Sequence, residues 1–305
     1  MDRLEAMTIL VSAVDTGSLS AASRRLRIPL ATVSRRVSEL EAHLNVRLLH
    51  RGRRSLVLTE AGRNYVASCR RLMDEIAEVE RIASGEYFAP QGELTISASA
   101  GIGRIHLLPI VDDFLGTFPE IRVRLQLTDR YVHFADDRVD LALRIGKLAD
   151  SSSVVAARVG AVRLNFCASP AYLQRRGLPR RPAELATHDC LVHETHAASH
   201  HWPFYTEGVM QMIEVPYRLS LSMGDATVAA AVAGAGIARG LSHLTDDLVR
   251  SGALVRVLEA YEPPPLVVSL IYPSQRQPTL KLRAFLDFAI PRLRNRLGGA
   301  GRSGS

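Results

Sequence analysis

Three runs of apolar residues at helical spacing occupy the first 44 positions, and residues that start or stop helices bound each run. The three helices are predicted over residues 3–15, 19–26 and 30–44. Gly17 is the expected end of the first helix, Ser18 is the expected N-cap of the second, and Pro29 separates the second from the third. The apolar face of the third helix is expected at Val33, Val37 and Leu40.

The second and third predicted helices are joined by a few residues, which is typical of the helix-turn-helix, whose second helix enters the major groove of DNA. Leu48, Leu49 and then residues 56–58 flank an arginine-rich stretch at 51–55. This pattern predicts a two-stranded wing with a basic tip. Thr59 is expected to cap a further helix. Residues 1–62 thus predict a winged helix-turn-helix domain.

Positive charge is concentrated in the same segment. Residues 24–54 contain nine arginines and two acids, Glu39 and Glu41, so their formal charge of +7 equals the net charge of the whole chain. Because neutralising phosphates releases condensed counterions, the cluster favours double-stranded DNA as a partner. The alternative is that these arginines form an ordinary solvated helix face.

The candidate DNA contacts lie at helix starts and on the wing. The candidates for phosphate contacts are Arg35, Arg36, Arg51, Arg53 and Arg54. The candidates for the groove are Leu30, Thr32 and Ser34, and Ser18 is a further candidate DNA contact. Leu30 offers apolar contacts alone, for instance to a thymine methyl group, which leaves the recognised base sequence open.

A linker helix is predicted over residues 63–86, since the segment contains no proline and its apolar positions recur with spacings of four and three. The apolar seam is Tyr65, Cys69, Leu72, Ile76, Val79 and Ala83. A seam of this kind is typical of a coiled coil, which would pair two chains and place two reading helices on pseudo-palindromic half-sites. The alternative is that the seam packs on the neighbouring domain. Residues 87–91 are expected to form a hinge.

Strands alternate with helices from residue 92 to residue 296, which indicates an α/β unit with mostly parallel sheets. The predicted strands are at 94–98, 123–127, 141–145, 163–168, 218–222, near 237, at 254–258 and at 266–272. A closing amphipathic helix is predicted over 280–294. The Gly/Ser-rich tail, residues 297–305, is expected to be disordered.

The candidate effector site is a turn rich in serine and glycine that follows the first of these strands. Its hydroxyl and backbone N–H groups lie where a helix starts, which suits a small anion. The candidate residues on this turn are Ser97, Ser99, Ala100 and Gly101. The opposite lip is expected from Arg144, Gly146, Met223 and Asp225. The alternative is that the glycines permit tight turns and Ser99 caps the helix.

One cluster has spacings that resemble a metal site, namely Cys190, His193, His196 and His200. It keeps open the alternative of a metal-dependent enzyme or a metal-sensing regulator. A variable polar loop at the mouth of the cleft is the favoured interpretation, and no resident metal or cofactor is expected. No nucleophile elbow, phosphate-loop lysine or His-Glu-x-x-His motif occurs in the sequence, so the chain is not expected to be an enzyme.

The overall composition fits a cytoplasmic protein. The three cysteines are too few and too scattered for a disulfide framework, which is typical of a reducing compartment. No secretory signal is expected at the N-terminus, and the longest uncharged apolar run, at 226–238, is too short to span a bilayer.

An ordered set of motifs in the first 62 residues resembles the bacterial LysR-type transcriptional regulators. These motifs are Gly17-Ser18-Leu19-Ser20-Ala21-Ala22, Val33-Ser34-Arg35-Arg36-Val37, Leu40-Glu41, Leu44, Leu48, Arg51 and Leu58-Thr59-Glu60-Ala61-Gly62. The resemblance extends over residues 3–296. It departs at Pro29-Leu30-Ala31, where many members have Thr-Gln-Pro or Ser-Gln-Pro, and at Ala100, where a hydroxyl is common.

The resemblance implies an effector domain with the two-lobed architecture of periplasmic solute-binding proteins. The implied lobes are residues 92–163 with 268–296, and residues 164–267. It further implies homodimers that pair into tetramers, a small-molecule effector bound between the lobes, and promoter DNA as target. RNA polymerase is a further expected partner.

Overall fold

The computed structural model describes residues 2–51, 56–83, 89–130, 134–137, 139–146, 154–194, 199–274 and 278–298. The chain divides into two compact units, residues 1–88 and 89–305, here called the N-terminal unit and the C-terminal unit. Among the described residues, no helix is long and apolar enough to cross a membrane.

The described residues of the N-terminal unit form four helices and one strand pair. Its elements are α1 (Arg3–Thr16), α2 (Leu19–Leu26), α3 (Leu30–Leu44), β1 (Leu49–Arg51), β2 (Leu56–Leu58) and α4 (Glu60–Ala83). The structure confirms the three predicted helices and the residues expected to start and end them. Gly17 adopts a left-handed conformation with φ of 76° after α1, and the Ser18 hydroxyl accepts a hydrogen bond from the Ala21 N–H at 3.0 Å. Strands β1 and β2 are antiparallel, as expected for a wing.

Cys69, which belongs to the predicted seam of the linker helix, lies in the core of the N-terminal unit. Cys69 is buried with Ile9, Leu10, Val37 and Leu40, and Tyr65 packs partly against the same core. The expectation that Cys69 belongs to a seam between two chains is therefore wrong, because α4 uses this face to pack inside its own unit. Leu72 and Ile76 remain 42% and 37% exposed.

The carboxylate of Glu41 and the missing side chain of Gly62 determine how the wing packs against α3 and α4. Glu41 accepts hydrogen bonds from the N–H groups of Leu48 and Leu49, at 2.7 and 3.0 Å, which ties the start of the wing to α3. Thr59 caps α4 by accepting a hydrogen bond from the Gly62 N–H at 2.9 Å. A Cβ on Gly62 would lie 2.0 Å from the Leu48 carbonyl oxygen, so α4 can approach the wing this closely only at a glycine.

The C-terminal unit contains twelve of the strands in the described part of the chain. They are β3 (Gly92–Ala98), β4 (Ile121–Leu127), β5 (Leu141–Ile145), β6 (Val154–Val162), β7 (Leu164–Ala168), β8 (Cys190–His193), β9 (His201–Thr206), β10 (Val209–Glu214), β11 (Tyr217–Leu221), β12 (Ile237–Leu241), β13 (Val255–Val257) and β14 (Leu266–Pro273).

The helices of this unit lie between its strands along the chain, except α11, which comes after the last strand. They are α5 (Ala100–Ile102), which continues through a π-helical turn (Gly103–Leu107) into α6 (Leu108–Thr117), then α7 (Phe134–Asp137), α8 (Pro170–Arg176), α9 (Gly224–Val232), α10 (Ser242–Arg250) and α11 (Leu280–Leu297), with 3₁₀ turns at Pro182–Thr187 and Glu259–Tyr261. The closing helix runs three residues beyond its predicted end, so Leu297 is helical and buried rather than part of a disordered tail.

Ten of these strands form two five-stranded sheets, each with its own core, and β9 and β10 form a separate two-stranded hairpin. Lobe I has the order β4-β3-β5-β14-β6, and lobe II has the order β11-β8-β12-β7-β13. In each sheet two neighbouring pairs are parallel and two are antiparallel. The expectation of mostly parallel sheets is therefore wrong. The chain crosses between the lobes after β6 and again after β13, and the strands beside these crossings run against their neighbours.

Aromatic residues fill the core of each lobe. In lobe I, Phe114 of α6 packs edge to face on Phe285 of α11, with ring centroids 4.9 Å apart. In lobe II, Phe166 stacks on Phe204 at 4.5 Å and on Trp202 at 5.6 Å. Trp202 and Phe204 belong to the antiparallel hairpin of β9 and β10, which the sequence did not predict.

The lobes touch where α5 of lobe I meets α10 of lobe II. A Cβ on Gly101 would lie 3.0 Å from His243 Nε2 and 3.0 Å from the Leu244 side chain. The rings of His243 and His106 are 6.1 Å apart, edge to face. Burial, aided by the nearby His106 and Arg104, lowers the pKa of His243 to about 4. This histidine is therefore neutral at the contact between the lobes near pH 7.

Replacing Gly62 by alanine should destabilise the N-terminal unit by about 1–3 kcal/mol, because the new Cβ forces α4 away from the Leu48 carbonyl. Urea unfolding followed by circular dichroism measures the effect. Gly116→Ala is the matched control, since a Cβ there meets nothing within 4 Å and alanine favours the helix, so stability should be unchanged or rise by up to about 1 kcal/mol. Equal stability of Gly62→Ala and the native chain would refute the close approach.

Acidification should destabilise the C-terminal unit through His243. Its pKa rises from about 4 in the folded chain to the ordinary value of 6.5 on unfolding, so stability is complete above pH 6.5 and is lost as the pH falls from there towards 4. Between pH 7 and pH 5 the loss assigned to this group is about 1–2 kcal/mol. In His243→Gln this part of the pH dependence of urea unfolding should vanish. An unchanged pH dependence in that variant would contradict the assignment.

Candidate functional sites

The first two turns of α3 present a continuous exposed surface. Leu30 is 45% exposed, Ser34 is exposed and the side chain of Arg35 is 62% exposed, while Thr32 is half-buried. The opposite face of the helix buries Val33, Val37 and Leu40. Arg35 Nη1 lies 3.6 Å from the nearer carboxylate oxygen of Glu39, an exposed pair that is worth little and leaves the guanidinium open to an anion.

Arg36 has a different environment from Arg35. Its guanidinium lies 2.9 Å from Glu5 of α1 and 3.3 Å from Glu39, and its side chain is only 23% exposed. The Nε atom is buried without a hydrogen-bond partner among the described residues. Arg36 therefore joins α3 to α1, and its charge is already balanced inside the unit.

The remaining candidates for DNA contacts divide into one cap and the wing. Ser18 is half-buried, and its hydroxyl is engaged as the N-cap of α2. Arg51 ends β1, where the structure describes its backbone. Arg53 and Arg54 lie outside the described residues. Glu41, which ties the wing to α3, was missed as a positioning residue because the sequence shows no link between it and Leu48.

In lobe I, the side chains of Arg144 and Asp129 form hydrogen bonds with the predicted effector turn. Ser97 is fully buried, and its hydroxyl accepts a hydrogen bond from Arg144 Nη2 at 2.8 Å. The Ser99 side chain makes no capping bond. The backbone N–H of Ala100 donates to Asp129 Oδ1 at 3.0 Å. Asp129, which the sequence analysis missed, follows the carboxyl end of β4, and this position is the signal that could have identified it.

In lobe II, the opposing lip lies at the start of α9. Met223 is exposed, and Asp225 Oδ1 accepts a hydrogen bond from the Ala226 N–H at 2.9 Å. Asp225 Oδ2 also lies 3.9 Å from Arg104 Nη2 of lobe I. Arg144 and Gly146 lie on and just after β5 of lobe I, the lobe of the Ser97 turn, so their expected place on the opposite lip is wrong. Gly146 forms a tight turn, with φ of 97° and its N–H donating to the Val267 carbonyl at 2.8 Å.

His193 connects the two lips. Its Nε2 atom is buried, has no hydrogen-bond partner among the described residues, and lies 3.7 Å from Asp129 Oδ2. A Cβ on Gly224, the first residue of α9, would be 3.4 Å from His193 Nδ1. Burial lowers the pKa of His193, although Asp129 opposes the shift. The structure thus brings Asp129 of lobe I and Gly224 of lobe II to one histidine.

The members of the predicted metal cluster are dispersed. Cys190 is fully buried in the core of lobe II, and burial raises its pKa to about 12. His193 faces Asp129, while His200 Nε2 lies 3.8 Å from Glu214 Oε1. His196 lies outside the described residues. Within the described part of the chain, no group of three or more histidine, cysteine, aspartate or glutamate side chains is arranged to hold a metal.

Two family models match the chain. The model described as bacterial regulatory helix-turn-helix protein, lysR family, matches residues 4–63. The model described as LysR substrate binding domain matches residues 89–294. One match lies in each of the two compact units.

Known proteins resemble the chain along most of its length. The transcriptional regulator CrgA of Neisseria meningitidis serogroup B is 32% identical over 300 residues, which cover 97% of this chain and 98% of the relative. The solved structure of CrgA has a TM-score of 0.62 at 30% identity and covers 95% of this chain and 98% of that one. The full-length virulence activator AphB of Vibrio cholerae has a TM-score of 0.60 at 27% identity, with 94% and 98% covered.

These relatives are transcriptional regulators, which confirms the prediction that the chain is not an enzyme and gives no support to the metal-dependent alternative. The helix-turn-helix fold and the two-sheet effector domain are likewise those of the family. The chain therefore belongs to the LysR family of transcriptional regulators, which bind DNA and small-molecule effectors.

Proposed function

We propose that α3 is the recognition helix and that its first two turns read the major groove of promoter DNA. The observation that carries this proposal is the division of α3 into a buried apolar face and an exposed face with Leu30, Ser34 and Arg35. A recognition helix needs such a division, because one face must dock on its own domain while the other meets base edges. Leu30 supplies apolar contact to a thymine methyl group, and Thr32 and Ser34 supply hydroxyls.

Arg35 and the wing arginines Arg51, Arg53 and Arg54 are proposed to contact phosphates. The high exposure of Arg35 supports its role, because a guanidinium in water exchanges condensed counterions for contact with the DNA backbone. Arg36 is assigned to holding α1 against α3, since Glu5 and Glu39 already balance its charge. Ser18 is assigned mainly to capping α2.

Homodimers are proposed to form through α4, with two dimers pairing into a tetramer. Leu72 and Ile76 support this proposal, because they are exposed large apolar residues one helical turn apart. Two-fold pairing of α4 would place two recognition helices on pseudo-palindromic half-sites, about 34–36 Å apart or a multiple of that distance. The core of a pair would then be shorter than the six-residue seam, because Cys69 packs inside its own unit.

A small anionic effector is proposed to bind between lobes I and II and to change how the lobes close. Contacts that reach across the cleft support this mechanism, namely His193 to Asp129, Arg104 to Asp225 and Gly101 to His243. An effector shifts DNA binding only if it favours one state of closure over another. The regulator then acts on promoter DNA in the cytoplasm, with RNA polymerase as a further partner.

Arg35→Gln should weaken binding to operator DNA at every sequence tested. It should also reduce the slope of log affinity against log salt concentration by about one for each bound chain, because one phosphate contact is lost. Fluorescence anisotropy at several salt concentrations measures both quantities. The matched control is Arg36→Gln, which should keep the salt slope and instead lower the free energy of unfolding by about 1 kcal/mol. Identical salt slopes for Arg35→Gln and the native chain would show that Arg35 does not contact a phosphate.

Sequencing the genomic fragments that the protein retains tests the whole proposal. The fragments should share half-sites with two-fold symmetry, and at least one metabolite from a panel of small organic acids should change which fragments are retained. Ser99→Ala should weaken this response while DNA binding without metabolite stays the same, because Ser99 lies at the cleft and far from α3 in the chain. Fragments without shared half-sites would contradict sequence-specific regulation.

A further inference from the structure

The charges of lobe II are unevenly distributed along its sequence. Residues 164–267 contain eight arginines, no lysine and ten acids. Four of the eight arginines, Arg175, Arg176, Arg180 and Arg181, occur within seven positions, and no acid occurs between residues 170 and 183. A lobe that is slightly acidic overall therefore has one strongly basic stretch, residues 175–181, here called the basic segment.

The basic segment lies at the end of lobe II that is opposite to the cleft. Strand β8 ends at His193, beside the cleft, so its first residue lies at the other end of the sheet. Arg176 Nε is 3.8 Å from Asp189, the residue before β8. Arg175 Nη2 donates a hydrogen bond at 2.9 Å to the carbonyl of Gly234, which precedes the parallel strand β12. The segment is therefore separate from the candidate effector site.

Most of the positive charge in the basic segment has no paired carboxylate. Asp189 is shared between Arg176 Nε, at 3.8 Å, and Arg218 Nη1, at 3.7 Å. Among the described residues, the other three arginines of the segment form no ion pair, and all four are exposed. The next acid in the sequence, Glu184, accepts the backbone N–H of Arg180 at 2.8 Å. The surface therefore attracts anionic groups.

An exposed apolar side chain lies between the two arginine pairs on an ordered backbone. Leu178 is 55% exposed, although Pro179 and Pro182 are buried. Arg176 Nη2 donates a hydrogen bond to the Thr187 carbonyl at 2.8 Å, which joins the end of α8 to the turn that follows the segment. Because the backbone is held at both ends, a partner that binds here would cost the segment little conformational entropy.

The combination of arginines with an exposed leucine fits a protein partner better than DNA. Phosphates are bound through charge and hydrogen bonds, and an apolar side chain adds nothing to such contacts. Protein interfaces instead combine an apolar centre with a polar rim, and arginine is enriched in them. The carboxylates of such a partner would pair with guanidinium groups through two parallel hydrogen bonds.

We propose that the basic segment is a docking surface for an acidic segment of another protein. Aspartate or glutamate side chains of the partner pair with Arg175, Arg180 and Arg181, and an apolar side chain packs on Leu178. The surface is separate from the recognition helix and from the cleft, so it gives the regulator a third kind of contact. Association through opposite charges is fast at low salt and weakens as the salt concentration rises.

The test measures how a fluorescent peptide that alternates glutamate with leucine binds to the full chain at pH 7, by anisotropy. One comparison peptide has serine in place of leucine, and another has lysine in place of glutamate. The glutamate–leucine peptide should bind saturably, the serine peptide more weakly and the lysine peptide not at all. Absence of saturable binding by the glutamate–leucine peptide, or equal binding by the serine peptide, would overturn the proposal.

The double variant Arg180→Gln/Arg181→Gln should weaken binding of the glutamate–leucine peptide at least about tenfold, because two charged contacts are lost. Its urea midpoint should be unchanged, since neither side chain has a hydrogen-bond partner among the described residues. Leu178→Ser should weaken binding without changing its salt dependence. The matched control, Arg122→Gln/Arg124→Gln, removes the same charge from exposed positions of β4 and should leave binding intact. Equal affinity of the first double variant and the native chain would overturn the proposal.

Two further measurements on Arg180→Gln/Arg181→Gln distinguish the other possible occupants. Its binding to random-sequence duplex DNA should keep the native salt slope, and its oligomeric state in sedimentation should be native. A salt slope reduced by about one for each lost arginine would assign the segment to DNA phosphates. Loss of a native oligomer would assign it to a second copy of the chain, and either result would overturn the proposal. Operator recognition and the response to metabolites should be native in this variant, so the docking surface can fail while the proposed function stands.

Discussion

The double crossing of the chain between its two sheets is the constraint on which the effector domain depends. After β6 the chain leaves lobe I, and after β13 it returns to add β14 between β5 and β6. Lobe I is completed only after the chain has passed through the whole of lobe II, so both crossings join the same two sheets. The carboxyl ends of β4 and β8 meet at the cleft between the lobes, which is why Asp129 and His193 come within 3.7 Å although 63 residues separate them in sequence.

The charge at the cleft depends on which of its polar groups already have hydrogen-bond partners within the chain. The starts of α5 and α9 offer partial positive charge, and the chain neutralises both with its own aspartates. Across the cleft, Arg104 lies 3.9 Å from Asp225, so this acid has a cationic neighbour in the other lobe. Asp129 instead approaches His193, whose protonation is opposed by burial. The charge of Asp225 is therefore balanced across the cleft to a greater degree than that of Asp129.

Residues beside each helix end were enough to predict the helices of the DNA-binding unit. They were not enough to predict the roles of its individual arginines. The ends of α1, α2 and α3 agree with prediction within one residue, because Gly17, Ser18 and Pro29 act on the backbone beside them. Arg35 and Arg36 are adjacent in sequence, yet one faces water and the other Glu5, which is 31 residues away. Likewise, Asp129 and Glu41 acquire their roles from partners on other elements. Spacing along the chain contains no information about such partners.

The cleft can transmit a signal only through contacts that differ between open and closed lobes. The pairs of His193 with Asp129 and of Arg104 with Asp225 both join one lobe to the other, so opening would break them together. The Arg104–Asp225 pair is partly exposed and contributes about 1 kcal/mol or less, so it adds little to closure by itself. A ligand that binds one state of closure more tightly by a few kcal/mol would move most of the population to that state. Such a ligand would have to touch both lips, because only contacts that the open and closed states do not share can favour one of them.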